Sequence, residues 1–110
     1  MPAPAASRER ETLYLLLCHD APGSAAPRET HMQGHLDFIA ANLSTIALGG
    51  PRSDGVSAID GSVLLIRAGS ASAARAFVAG DPYFKAGVWA RIEVHPMRAV
   101  CGSYIGGVTW

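Results

Sequence analysis

The sequence predicts an α+β domain of the ferredoxin-like, split βαβ type: a four-stranded antiparallel sheet with two helices on one face. Three observations carry that reading. The segments run in the order strand, helix, strand, strand, helix, strand. Two of the strands, near residues 13–18 and 61–68, are apolar on both faces and so belong inside a sheet. The chain has 110 residues, 49% of them apolar and 16% charged, so it hides roughly 60 to 68% of its unfolded surface, enough for one core and too little for a second domain. Such a composition also excludes a disordered chain.

Residues 1–11 lack apolar periodicity and are expected to form a flexible N-terminal tail, with the folded domain over 12–102 and a C-terminal tail over 103–110. The first strand places Leu13, Leu15 and Leu17 on one face and Tyr14, Leu16 and Cys18 on the other. Asp20-Ala-Pro-Gly-Ser then supplies a turn. A helix is expected from Arg28 to Ser44, with Met32, Leu36, Ile39, Ala40, Leu43 and Ala47 as its core stripe and His35 on the stripe's edge. Ile46 to Pro51 reads as a short strand stopped by proline, and Arg52 to Gly61 as loop or ragged hairpin.

A second doubly apolar strand begins at Gly61. Ser70 is the N-cap of an alanine-rich helix through Ala79, which Gly80 ends. The last strand, from Gly87 or Val88 to His95, turns Val88, Ala90, Ile92 and Val94 to the core and Trp89, Arg91, Glu93 and His95 to the more exposed face. Two helices cover only one face of this sheet. The bare face calls for a second copy packed sheet against sheet, hence an expected homodimer.

Nine basic residues balance nine acidic ones, which leaves no electrostatic footprint for nucleic acid or an anionic membrane. The apolar run of six from Leu13 to Cys18 falls far short of the roughly 20 residues of a membrane helix, and nothing before it resembles a secretory leader. Cys18 and Cys101 form neither a CxxC pair nor a dense pattern, which points to a reducing, cytoplasmic setting.

The chemistry-bearing residues are few. His31 and His35 have the i,i+4 spacing of metal ligands, but Met32 stands where a zinc protease helix carries glutamate, so no metal is expected. His35, beside the apolar stripe, suits proton transfer near neutral pH if a carboxylate fixes its tautomer. Asp81, held between Gly80 and Pro82, is the best partner on sequence grounds, and the alternative is that it only stabilises its turn. Cys18, in an apolar strand, packs rather than reacts. Tyr83, Phe84 and Trp89 either line a small pocket or seal a seam between copies.

The segments Leu17-Cys-His-Asp-Ala-Pro-Gly-Ser24, Gly34-His-Leu36, Leu48-Gly-Gly-Pro51, Gly61-Ser-Val-Leu-Leu-Ile66, Asp81-Pro-Tyr-Phe-Lys-Ala-Gly-Val88 and Ile92-Glu-Val-His-Pro96 resemble the YciI-like, or YCII-related, family. The resemblance implies a homodimer of the dimeric α/β-barrel type with a catalytic histidine–aspartate dyad, here His35 and Asp81, and Asp20, Ser62 and Tyr83 as further pocket residues. Many relatives carry arginine three residues before the histidine, where this chain has Met32, and Arg28 lies one turn further back. One member resembles a dehalogenase of chlorinated muconolactones. The implied activity is general acid/base chemistry, of lyase, isomerase or dehalogenase type, on a small cyclic or carbonyl-containing acid. Ser62 or Tyr83 would donate to a developing enolate, and such proton transfer needs no cofactor. The competing readings are a non-catalytic small-molecule-binding or regulatory dimer and a cofactor-free monooxygenase.

Overall fold

Both doubly apolar strands lie inside the sheet. In a computed structural model that describes Arg8, residues 10–55 and residues 58–110, β1 (Leu13–Asp20) and β3 (Ile59–Arg67) are flanked by the edge strands β2 (Ile46–Ser53) and β4 (Trp89–Met97), in the order β2-β3-β1-β4. All pairings are antiparallel. Helices α1 (Ala25–Ala41), α2 (Ala71–Val78) and α3 (Pro82–Lys85) lie along the chain between these strands. The expected split βαβ fold is the one observed.

Alternation along the strands sorts residues between two faces. Tyr14, Leu16, Cys18, Leu64 and Ile66 are buried beneath the helices with Ala74, Val78 and Val88. On the opposite face Leu15, Leu17, Val63 and Leu65 are half-buried, and the registers Leu15↔Leu65 and Leu17↔Val63 put them side by side. A charged rim borders them: His19 and Glu93 pair at 2.5 Å, and Glu93 also meets Arg91 and His95.

Several expected boundaries and roles need correction. Helix α1 starts at Ala25, three residues before the predicted start, because Pro27 falls in the first turn, where a missing N–H costs no intrahelical bond. It ends at Ala41 rather than Ser44: Asn42 leaves helical geometry and its side chain donates to the Phe38 carbonyl. Strand β2 runs through Pro51, tolerated on an edge strand, to Ser53. The turn of the hairpin to β3 includes residues 56 and 57, outside the described residues.

Most of the expected core stripe of α1 is not core. Met32, Leu36 and Leu43 are 49%, 50% and 63% exposed, and no residue of the helix is fully buried; Ile39 alone of the stripe within the helix packs, partly buried, against the core. The helix is held further through Phe38 against Phe77, with rings 5.2 Å apart, and through its contact with α3. Trp89 is buried rather than on the exposed face of β4, while Ala90 is exposed. A β-bulge opposite His19 and Asp20 adds one residue to β4 there and turns the Trp89 side toward the helices.

The expected N-terminal tail falls largely on residues outside the described ones, but Arg8 and Glu11 are described and reach the other end of the chain. Residues Cys101–Gly102 and Gly107–Val108 form a small ribbon, β5 and β6, around a 3₁₀ turn over Ser103–Ile105. Glu11 accepts from Arg67 Nε at 2.8 Å and from the Tyr104 hydroxyl at 2.6 Å, and Arg8 donates to the Tyr104 carbonyl. Among the described residues no helix is long and apolar enough to cross a membrane.

Candidate active site

Asp81 is placed by local chain chemistry. Pro82 disfavours helical geometry in the residue before it and fits the first turn of a helix, so Asp81 is extended (ψ 131°) and caps α3, its Oδ1 accepting the Tyr83 N–H at 2.9 Å. Its carboxyl is fully buried. His35 reaches it from α1 because Gly34 lets the two helices approach: a β-carbon at position 34 would lie 3.2 Å from Pro82 Cγ.

His35 Nδ1 lies 2.7 Å and 2.9 Å from the two Asp81 oxygens. An ionised carboxylate only accepts, so Nδ1 carries the proton and Nε2 is left with its lone pair. The ring is clamped on two further sides. Tyr83 stacks on it at 4.0 Å and 5°, and Trp89 meets it edge-on at 6.3 Å. The imidazole therefore has a fixed tautomer and a fixed plane.

Next to this dyad is a polar layer built on Arg28. Its Nε and Nη2 donate to the two oxygens of Asp20 at 2.7 and 2.8 Å, and Nη2 also reaches the Gly61 carbonyl and Ser62 Oγ. The hydrogen bond with Asp20 holds the Arg28 guanidinium above its ordinary range despite partial burial. The hydroxyl of Ser62 accepts from Arg28 and from Trp89 Nε1, leaving its own proton to donate. The Tyr83 hydroxyl already donates to the Arg28 carbonyl at 3.2 Å.

A cavity of about 510 Å³ opens between α1 and the β2–β3 edge. Arg28, His35, Ser62 and Tyr83 supply its polar wall; the displaced α1 stripe, with Ile46, Leu48 and Ile59, supplies the apolar one. Its size and its few convergent polar groups are those of a small-molecule site.

Of the residues singled out in the sequence, His35 and Asp81 meet, Tyr83 stacks on His35, and Ser62 lines the same cavity; Asp20, expected as a pocket residue, is not among the lining residues and reaches the site only through Arg28, which it holds. His31 is exposed, and no group of metal-ligating side chains forms among the described residues. Both cysteines are free thiols; burial, with a smaller contribution from the charge on Asp81, pushes Cys18 up to about 12. Trp89 stands among the aromatics expected at a pocket or a seam, but the bulge hid that it turns to the helix side and meets His35. The role missed is that of Arg28 as the hub of the polar layer, which had no sequence signal beyond its place in the first turns of a helix that follows Asp20. The capping role of Asp81 did have one: aspartate followed by proline marks a helix start.

The YCII-related domain matches residues 12–98. This chain belongs to the YCII-related family. Among solved structures it is similar to 5-chloro-2-hydroxyhydroquinone dehydrochlorinase (TftG) from Burkholderia phenoliruptrix AC1100, in complex with 2,5-dihydroxybenzoquinone. The identity is 31% and the TM-score 0.69, over 84% of this chain and 97% of that one. A hypothetical Arabidopsis thaliana protein gives 12% identity and a TM-score of 0.48, over 84% of this chain and 90% of that one. No curated protein matches the sequence.

Proposed function

We propose that this YCII-related protein is a small-molecule enzyme that uses the His35–Asp81 dyad for general acid/base chemistry, with dehydrochlorination of a small cyclic carbonyl compound as the leading reaction. The observation that carries it is the dyad itself: an imidazole with Nδ1 on a buried carboxylate, at the wall of a ligand-sized cavity. Likeness to a dehydrochlorinase at 31% identity supports the choice of reaction.

In this reading His35 Nε2 takes the proton from the carbon beside the carbonyl. The C–H pair moves toward the carbonyl, whose developing oxyanion the Ser62 hydroxyl meets. The pair then closes a double bond to the chlorine-bearing neighbour, and chloride leaves with the C–Cl pair. The proton stays on the imidazolium, which Asp81 stabilises, until solvent takes it. The net loss is HCl, with no change of overall oxidation state. Asp81 is a positioning residue, and Tyr83, with its hydroxyl engaged and its ring on His35, is a plate rather than a donor.

The test is chloride release from 3-chlorocyclohexanone, which carries a proton beside the carbonyl and chlorine on the next carbon, with exchange of the protons beside the carbonyl of cyclohexanone into D₂O as a substrate-independent readout. His35→Ala is expected to lower kcat about 10² to 10⁴-fold. Asp81→Asn is expected to lower kcat about 10²-fold with KM changed less than about threefold, and to shift the ¹⁵N signals of His35 away from the Nδ1–H tautomer. Turnover that survives His35→Ala within tenfold overturns the assignment.

The family resemblance also leads us to propose that two copies pack through the sheet face bearing Leu15, Leu17, Val63 and Leu65. That half-buried apolar patch, bordered by charge, supports the pairing.

A further inference from the structure

The cavity is polarised along its length. The N-terminal half of α1 brings Arg28 beside Ser62, which pairs with Pro51 on the neighbouring strand, and His35 follows two turns on. Beyond His35 the helix continues to Ala41, about 9 Å further at 1.5 Å per residue. Over that stretch the wall is Leu36, Ile39 and Leu43 on one side and Ile46, Ala47 and Leu48 on the other. Leu36, Leu43 and Leu48 are among the most exposed large apolar side chains of the protein, although they form one continuous surface with a built polar end.

Charge at the site is also one-sided. Arg28 is the only cationic side chain among the cavity-lining residues, and two hydrogen bonds tie its guanidinium to Asp20. The buried Asp81 carboxylate stands behind His35. An anionic ligand would therefore meet no unpaired cation, with the carboxyl groups of Asp20 and Asp81 directly behind Arg28 and His35. An uncharged oxygen function still finds a donor in Ser62.

We infer that the natural ligand of this cavity is an uncharged cyclic carbonyl or enol compound carrying an apolar substituent of several carbons, not a small acid. The carbonyl lies between Ser62 and His35, and the substituent runs along α1 toward Leu43 and Leu48. This rests on the proposed function for the identity of the reacting end; the apolar arm and the missing anion site are independent of it.

The experiment is an NMR titration of the full chain with cyclohexanone, 4-methyl-, 4-propyl- and 4-pentylcyclohexanone, and with 4-oxocyclohexanecarboxylate as the charged counterpart. Affinity should rise about three- to fourfold per buried methylene, so that the pentyl ketone binds at least about 30-fold tighter than the methyl one. The carboxylate should bind at least about tenfold more weakly than the methyl ketone. Leu36→Ser and Leu48→Ser, both at exposed positions that should tolerate substitution, should flatten the ladder to less than twofold per methylene.

A flat ladder in the unmodified protein, a carboxylate that binds tightest, a ladder that stays steep in both leucine variants, or no binding by any ketone overturns the inference. Proton exchange, measured in the same samples, separates the two claims. A flat ladder with exchange that depends on His35 removes this inference alone; a steep ladder with exchange unaffected by His35→Ala removes the proposed chemistry and leaves the ligand class standing.

Discussion

At the scale of single residues, Asp81 answers to two demands at once, capping α3 and holding His35. Asp81→Ala should therefore destabilise the protein by about 1 to 3 kcal/mol, through the lost cap and the unpaired imidazole N–H, whereas Asp81→Asn, which still caps, should cost less. Urea unfolding of both variants measures the difference. Cys18 gives a second prediction. Its thiol ionises near 12 in the fold against 9.0 when free, so the stability due to its burial is complete below pH 9 and is lost as pH rises toward 12, at about 1.4 kcal/mol per pH unit. Replacing Cys18 with alanine should remove that part of the alkaline slope, and an unchanged slope would contradict it. Native protein should accordingly react with a thiol reagent at exposed Cys101 and not at Cys18. His35 and Asp81 could be raised from the sequence one by one, but only the family pattern paired them, because 46 positions of chain separate them and no local rule spans such a gap.

The elements show where periodicity stops informing. A three-four spacing predicted a core stripe on α1, but most of that stripe borders an open cavity, since spacing records which side chains share a face of the helix and not whether protein lies opposite. Strand alternation named both faces of β1 and β3 correctly and misplaced Trp89, since a single inserted residue inverts the pattern and leaves no compositional trace. The α1–α3 contact is the element on which the dyad depends. Gly34→Val should lower the thermal midpoint and release His35 from the Nδ1–H tautomer, even though valine is the better helix former, because the added carbons meet Pro82. Should the variant keep both the midpoint and the ¹⁵N signature, close approach at Gly34 is not what sets the geometry.

For the whole molecule, the split βαβ topology was legible because it follows from element order and from which strands are apolar on both sides, features that every residue of a strand helps to write. The closure of the two ends onto Arg67 was not, since it depends on three side chains from distant segments. Burial alone would raise the Glu11 carboxyl, but hydrogen bonds from Tyr104 and Arg67 outweigh it and keep the group below its usual 4.5. Its contribution is thus present above pH 4.5 and disappears as the pH falls further, so Glu11→Gln should flatten the acid limb of a stability–pH curve. If two copies pair as proposed, sedimentation should give a two-chain mass at micromolar concentration, and Leu17→Lys should shift it to one chain while circular dichroism stays native. The pocket and the proposed seam use opposite sides of one sheet and share the strand β3. Even-numbered positions such as Leu16, Ser62 and Leu64 look toward the helices; odd-numbered ones such as Leu15, Leu17, Val63 and Leu65 look away. Evolution can thus revise what is recognised and what is assembled on alternate letters of one segment, and a duplicated gene could drift toward a new compound while still pairing with its parent.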